Sequence, residues 1–199
     1  DQVSAWNNIS EDLSASSPMD RLLCGDVGFG KTELAIRAAF RVVIGGKRVV
    51  VLSPTTILAN QLCSSFSARL EPCAISVDMV SRFRSQKDLG GVKNNIIENN
   101  NDVLIGTHAV LNDDLYLKNI GLLIVDEEHR FGVKHKEKIR QFKSSVDVLS
   151  MSATPIPRSM NLALSGIYSV SMLQTPPRLR LPIITLVEYY NDLTITRPD

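Results

Sequence analysis

Residues 25–32 of this chain read GDVGFGKT. This run fits the pattern GxxxxGK[ST], in which glycines let successive backbone N–H groups turn inward around a phosphate. The apolar residues 22–24 lead into the run, and a helical pattern over residues 33–43 follows it. The following helix would add its positive N-terminal end. The sequence therefore predicts a phosphate-binding loop between a strand and a helix.

Each residue type in this loop has a chemical reason. Gly25, Gly28 and Gly30 would shape the cradle, Lys31 would bring a cation to the β- and γ-phosphates, and the Thr32 hydroxyl would hold Mg²⁺. The alternative is a glycine-rich turn that carries Lys-Thr by chance. The flanking strand and helix favour the nucleotide site.

The composition limits the class of protein to which this chain can belong. The 199 residues are 44% hydrophobic and 22% charged, which is typical of a globular chain of one large domain or two small ones. A net charge of +1 predicts no global attraction to DNA or to a membrane. Three cysteines without metal spacing indicate reduced thiols and a cytoplasmic location. No apolar run reaches transmembrane length, so no membrane partner is expected, and the abrupt ends suggest a domain of a longer protein.

Strand-like segments alternate with helical ones along the chain. This order predicts an α/β fold, a mostly parallel sheet with helices on both faces. An amphipathic helix is expected over residues 1–16, and Thr-Pro-Pro after Gln174 signals a linker, so the domain should span 1–173 and the linker 174–199. The predicted strands are 21–24, 47–53, 74–80, 102–106, 122–125, 146–151 and an isolated 182–190, and the later helices are 85–99, 134–143 and 158–165.

A second candidate element is the acidic pair that follows the apolar run 122–125. Asp126 would face Mg²⁺, and Glu127 would orient and deprotonate an attacking water. The alternative is an acidic helix N-terminus. His129 could link this pair to its surroundings, although a lone histidine is often structural. The hydroxyls of Ser152 and Thr154 could contact the acids, or form a turn or helix cap.

Loops after other strands contain candidate nucleic-acid contacts. Thr55, Arg82, Thr107 and His108 each follow a predicted strand, and hydroxyls and helix N-termini suit phosphate contacts. Without further context, surface ion pairing is the favoured interpretation for Arg82 and its neighbour Arg84. The basic stretch over residues 130–140 is best explained as a solvated helix face.

Six blocks of sequence, taken in order, resemble the first motor lobe of superfamily 2 helicases. The resemblance is strongest to the bacterial transcription-repair coupling factor family, with RecG helicases as near relatives. Phe29, Glu128 and the block SRFRS favour the coupling factors. The resemblance covers about residues 1–190, and the blocks are GDVGFGKT, SPTTILANQ, SRFRS, IGTH, LLIVDEEHRFGVKHKEK and SATPIPRSM.

The resemblance implies a RecA-like P-loop lobe that binds ATP and Mg²⁺ and, paired with a second RecA-like lobe, moves on double-stranded DNA. It implies that the parent protein displaces stalled RNA polymerase and recruits repair proteins through parts outside this chain. By matching motif, the implied roles are Walker A (Lys31, Thr32), Walker B (Asp126, Glu127), coupling of ATP to DNA (Ser152 to Thr154), DNA contact (Thr55, Arg82, Thr107, His108) and adenine reading (Gln2).

Two departures from the family pattern matter. The aromatic segment expected before Gln2 is missing, and the arginine-bearing motifs of a second lobe would follow residue 199. The isolated lobe is therefore expected to bind nucleotide weakly and turn over little. The alternatives to a coupling-factor motor are a RecG-like remodeller of branched DNA and a nucleotide-dependent binding switch without turnover.

Overall fold

A computed structural model describes residues 1–80, 102–112, 117–153 and 169–176. Within these residues, seven parallel strands form one sheet in the order β3-β4-β2-β5-β6-β1-β7. The strands are β1 (Asp20–Gly25), β2 (Arg48–Leu52), β3 (Val77–Val80), β4 (Val103–Gly106), β5 (Ile120–Asp126), β6 (Asp147–Ser152) and β7 (Ser169–Leu173). The helices are α1 (Gln2–Asp12), α2 (Lys31–Ile44), α3 (Thr56–Leu70) and α4 (Val133–Phe142), with 3₁₀ turns at Glu71–Cys73, His108–Asn112 and Glu128–Arg130.

Apolar side chains cover both faces of the sheet. On one face, Ile9 of α1, Ala35 of α2 and Phe66 of α3 pack against alternate residues of the central strands. On the other face, Ile139 of α4 packs with the intervening strand residues. All five residues of β2 are buried, as expected of a strand covered on both sides. The predicted α/β fold with helices on both faces is confirmed.

The topology collects loops from different strands at one edge. Because all strands are parallel, β1, β5 and β6 end at the same edge, and β5 and β6 are direct neighbours. Open α/β sheets bind ligands at that edge. The glycine loop after β1 and the acidic pair at the end of β5 are therefore brought to one place.

Some elements differ from the sequence predictions. Helix α1 ends at Asp12 rather than residue 16, because a serine-rich segment and Pro18 follow it. Strand β7 was not predicted, since its alternating small polar and apolar residues give a weak local signal. It is stabilised by pairing with β1 and by Arg21, which donates to Ser171 Oγ at 2.9 Å and to Asp12 at 2.6 Å.

The remaining predictions concern parts of the chain that the structure does not describe. The helices over 85–99 and 158–165 and the strand over 182–190 lie outside the described residues, as does nearly all of the proposed linker. Among the helices that are described, none combines the length and apolar character needed to cross a membrane.

Candidate nucleotide-binding site

The glycine loop joins β1 directly to α2. Gly28 and Gly30 have φ angles of 81° and 91°, in the left-handed region that favours glycine. A Cβ atom at Gly30 would lie 2.4 Å from Nε2 of Gln2. Side chains at these positions would strain the loop or displace Gln2. The geometry thus explains why glycine stands at both positions.

Lys31 lies within the loop and close to the acidic pair. Its Nζ donates to the carbonyl oxygens of Gly25 and of Asp26, the latter at 3.0 Å. Burial lowers the pKa of Lys31, and the negative charges of Glu127 and then Asp126 oppose that change. The cation and the two carboxylates therefore share one site, although the loop and the acids are about a hundred residues apart in the chain.

A cavity of about 240 Å³ opens between Thr32 and Asp126. A hydroxyl and a carboxylate oxygen are ligands of the kind that Mg²⁺ prefers, so these donors fit that ion. Burial first, and the charge of Glu127 second, raise the pKa of Asp126 to about 6, while Lys31 opposes the shift. A divalent cation would relieve this electrostatic cost. The other lining residues come from α3 and are Leu58, Gln61, Leu62 and Ser65.

Glu127 occupies a constrained turn after β5. Its backbone is left-handed (φ 50°, ψ 54°), and its N–H donates to the Met151 carbonyl at 2.9 Å. Its Oε1 accepts from the Ala153 N–H at 3.0 Å. Its Oε2 is buried and accepts no hydrogen bond from the residues that the structure describes, and His129 Nδ1 lies 3.2 Å away, within ion-pair distance. The Ala153 N–H thus holds one oxygen, while the other faces His129 among the described residues, and the general-base role of Glu127 stays a prediction.

The neighbouring acid, Glu128, has a different contact. Its Oε2 accepts from the hydroxyl of buried Ser150 in β6 at 2.7 Å. Neither the Ser150 contact of Glu128 nor the Ala153 N–H contact of Glu127 is predicted from the sequence, in which Glu128 serves only to compare families. The available signal was the pair Ser150 and Ser152, which interrupts an otherwise apolar strand at a period of two.

The structure places two further candidates beside this site. Gln2 Nε2 donates to the Phe29 carbonyl at 2.9 Å, so the start of α1 lies against the glycine loop. Ser152 is buried at the end of β6, in register with Cys24 of β1. Thr154 lies outside the described residues. The adenine-reading role of Gln2 and the coupling roles of Ser152 and His129 stay predictions.

The candidate DNA contacts lie farther along the same edge, after β2 and β4. Thr55 caps α3 by accepting from the Leu58 N–H at 3.3 Å. Thr107 is buried, and the ring of His108 lies 4.5 Å from that of His135 in α4, centroid to centroid. Arg82 lies outside the described residues. These contacts stabilise the loops. The DNA-binding roles of the four candidate residues stay predictions.

Comparison with protein families decides the assignment. The model of the DEAD/DEAH box helicase family matches residues 1–162. The chain belongs to the DEAD/DEAH box helicase family. Membership of this helicase family implies that the chain binds a nucleotide. The nucleotide would bind at the edge of the sheet that contains the glycine loop and the acidic pair.

Transcription-repair-coupling factors are among the curated relatives that share high sequence identity with this chain. The chain is 48% identical over 195 residues to the transcription-repair-coupling factor of Escherichia coli, covering 98% of this chain and 17% of that protein. It is also 48% identical to the Bacillus subtilis coupling factor, covering 96% of this chain and 16% of the relative. The predicted resemblance to coupling factors is confirmed. The helicase domain thus spans about a sixth of these relatives.

Solved structures support the same fold. A structure of RecG bound to a three-way DNA junction matches with a TM-score of 0.78 and 36% identity, covering 90% of this chain and 24% of that one. The Pyrococcus furiosus Hef helicase domain matches with a TM-score of 0.61 and 20% identity, covering 87% of this chain and 38% of that one, and shows the fold alone. The predicted RecA-like helicase lobe is confirmed.

The raised pKa of Asp126 makes a testable prediction for this helicase domain without nucleotide or metal. The folded pKa of about 6 exceeds the ordinary value of 3.8, so the folded state binds the proton more tightly. The free energy of unfolding should therefore fall as pH rises from about 4 to about 6. We expect Asp126→Asn to be about 3 kcal/mol more stable than wild type at pH 7, with most of this difference lost at pH 4.

Urea unfolding at both pH values, in the presence of EDTA, measures this difference. Asp78→Asn is a matched control, because Asp78 is half-buried in β3 and lies far from the acidic pair across the sheet. A stability difference for Asp126→Asn that is the same at pH 4 and pH 7 would contradict the prediction.

Proposed function

We propose that this chain is the first motor lobe of a transcription-repair coupling factor. It binds ATP and Mg²⁺ and, together with a second RecA-like lobe, hydrolyses ATP to move the parent protein along double-stranded DNA and displace stalled RNA polymerase. The observation that carries the proposal is the shared cavity between Thr32 of the glycine loop and Asp126 of the acidic pair, with Lys31 beside it. The 48% identity to coupling factors over nearly the whole chain supports the choice of family member.

Each of the described site residues would have a separate role in ATP hydrolysis. Lys31 and the loop N–H groups would bind the phosphates, and Thr32 and Asp126 would hold Mg²⁺, which when bound neutralises phosphate charge. Glu127 Oε2 would accept a proton from the attacking water, because Oε1 is already held by the Ala153 N–H. Phosphoryl transfer depends mainly on such positioning and charge stabilisation.

Other partners belong to other parts of the parent protein. Thr55, Arg82, Thr107 and His108 would contact the DNA backbone, while RNA polymerase and repair proteins would bind domains outside this chain. We place the protein in the cytoplasm. The RecG-like alternative is supported by a structural neighbour at 36% identity, which is lower than the 48% shared with coupling factors. A wedge domain before the lobe would favour RecG, and a polymerase-binding module would favour the coupling factor.

A comparison of turnover rates tests the proposal. The isolated chain should hydrolyse ATP at least about 100-fold more slowly than the same lobe joined to its second lobe with DNA present, because an arginine supplied in trans contributes a large factor to phosphoryl transfer. Phosphate release under saturating ATP and Mg²⁺ measures both rates. Equal rates would contradict the two-lobe motor, and no hydrolysis in either protein would favour the binding switch.

A further inference from the structure

The carboxylate of Asp1 contacts two distant parts of the chain. Its Oδ1 accepts from the Gln2 N–H at 2.8 Å and caps α1. Its Oδ2 accepts from the N–H groups of Gln174 at 2.6 Å and Thr175 at 2.7 Å, directly after β7. These bonds are charge-assisted and short. One side chain therefore joins the first helix to the point where the proposed linker begins.

The adjacent residue makes the second half of this connection. Gln2 Nε2 donates to the Phe29 carbonyl inside the glycine loop and lies against Gly30. Asp1 and Gln2 are consecutive at the ordered start of α1, so two residues connect the phosphate-binding loop to Gln174 and Thr175. We name this set, Asp1 and Gln2 with Gln174 and Thr175, the linker clamp.

A second contact strengthens the connection. Gly25, which begins the glycine loop, is in register with Leu173 at the end of β7. A Cβ atom at Gly25 would lie only 2.8 Å from Leu173 Cβ, so the two backbones are closely packed. The glycine loop is thus connected to residues 173–175 on both sides, through β1 and through α1.

Capping alone does not require an aspartate at this position. An N-cap needs one oxygen, and serine, threonine or asparagine supply it about as well. The contact with Gln174 and Thr175 uses the second oxygen, which only a carboxylate provides in this geometry. The contact with Gln174 and Thr175, rather than the helix cap, is therefore the reason why an aspartate fits residue 1 better than serine, threonine or asparagine.

We propose that Asp1 is a positioning residue that holds the start of the interlobe linker against the nucleotide site, so that nucleotide occupancy changes the path of the chain toward the second lobe. The proposal rests on the proposed two-lobe function. It adds a residue outside the ATP and DNA contacts through which hydrolysis in this lobe is coupled to lobe movement.

Asp1→Asn in the complete protein separates the two roles of the side chain. The amide oxygen can still cap α1, but the amide nitrogen cannot accept from Gln174 and Thr175. We expect ATP affinity and DNA-free hydrolysis within about twofold of wild type, and DNA stimulation of hydrolysis reduced about 5- to 20-fold, within the range of typical coupling effects. Thr175→Pro, which removes one of the donors, should reproduce the loss of stimulation.

Amide exchange gives a readout that does not depend on DNA. In wild type, exchange at Gln174 and Thr175 should be slow and should change when ADP binds, whereas in Asp1→Asn it should be about tenfold faster and insensitive to ADP. Glu11→Gln is the matched control, because this exposed carboxylate on α1 has no described side-chain contact.

The two proposals fail in different ways. Wild-type exchange at residues 174–175 that ignores ADP, or Asp1→Asn with full DNA stimulation, would overturn the linker clamp. Wild-type hydrolysis that does not respond to DNA would instead overturn the proposed motor function, while ADP-sensitive exchange lost in Asp1→Asn would still support the clamp.

Discussion

Replacing Glu127 with glutamine should lower the rate of ATP hydrolysis by about 10²- to 10⁴-fold, the usual contribution of a general base. The amide can still accept the Ala153 hydrogen bond through one oxygen, so the turn after β5 should keep its shape. It cannot take a proton from water. Nucleotide affinity should therefore stay close to wild type, and direct binding measured beside steady-state turnover would show the separation.

Glu128→Gln is the matched control for this substitution. It removes the neighbouring carboxylate charge but keeps an oxygen that accepts from Ser150. We expect turnover within a few-fold of wild type. Equal losses in the two variants would indicate a general charge effect rather than a base at Glu127. If Glu127→Gln abolished hydrolysis but the full protein still worked, the nucleotide-dependent switch would be the better function.

Phe66→Ala should lower the free energy of unfolding of the lobe by about 3–5 kcal/mol. Phe66 is fully buried on α3 and anchors that helix to the sheet. The truncation would leave a cavity that the surrounding residues fill only in part. This is a large fraction of the stability of a typical domain. It should also weaken nucleotide binding, because Gln61 and Ser65 on the same helix line the cavity beside Asp126.

Urea denaturation of the lobe measures the effect of Phe66→Ala. Ile57→Ala is the matched control on the same helix, since Ile57 is 72% exposed and should change stability by no more than about 0.5 kcal/mol. Similar midpoints for both variants would contradict the packing that places α3 on the sheet. A stability loss with unchanged nucleotide affinity would contradict the link between α3 and the site.

Local patterns were enough to predict most of the fold. The buried run in β2 and the apolar residues before Asp126 are continuous in the chain, because parallel strands are covered on both faces. The glycine loop was equally local, since its backbone conformation is set by glycines within a few residues of Lys31. Strand β7 was not predicted, because its local sequence pattern is weak. Its stability comes from pairing with β1 and from the contact with Arg21.

Most of the helices and strands, the phosphate-binding loop and the acidic pair could be predicted from the amino-acid sequence, because each depends on neighbouring residues. How these parts meet could be learned only from the folded chain. It brought Thr32 and Asp126 to one cavity, fixed one oxygen of Glu127 through Ala153, and joined Asp1 to Gln174. Each of these contacts connects groups that are distant in the chain, so their approach depends on strand order and helix packing rather than on local preference.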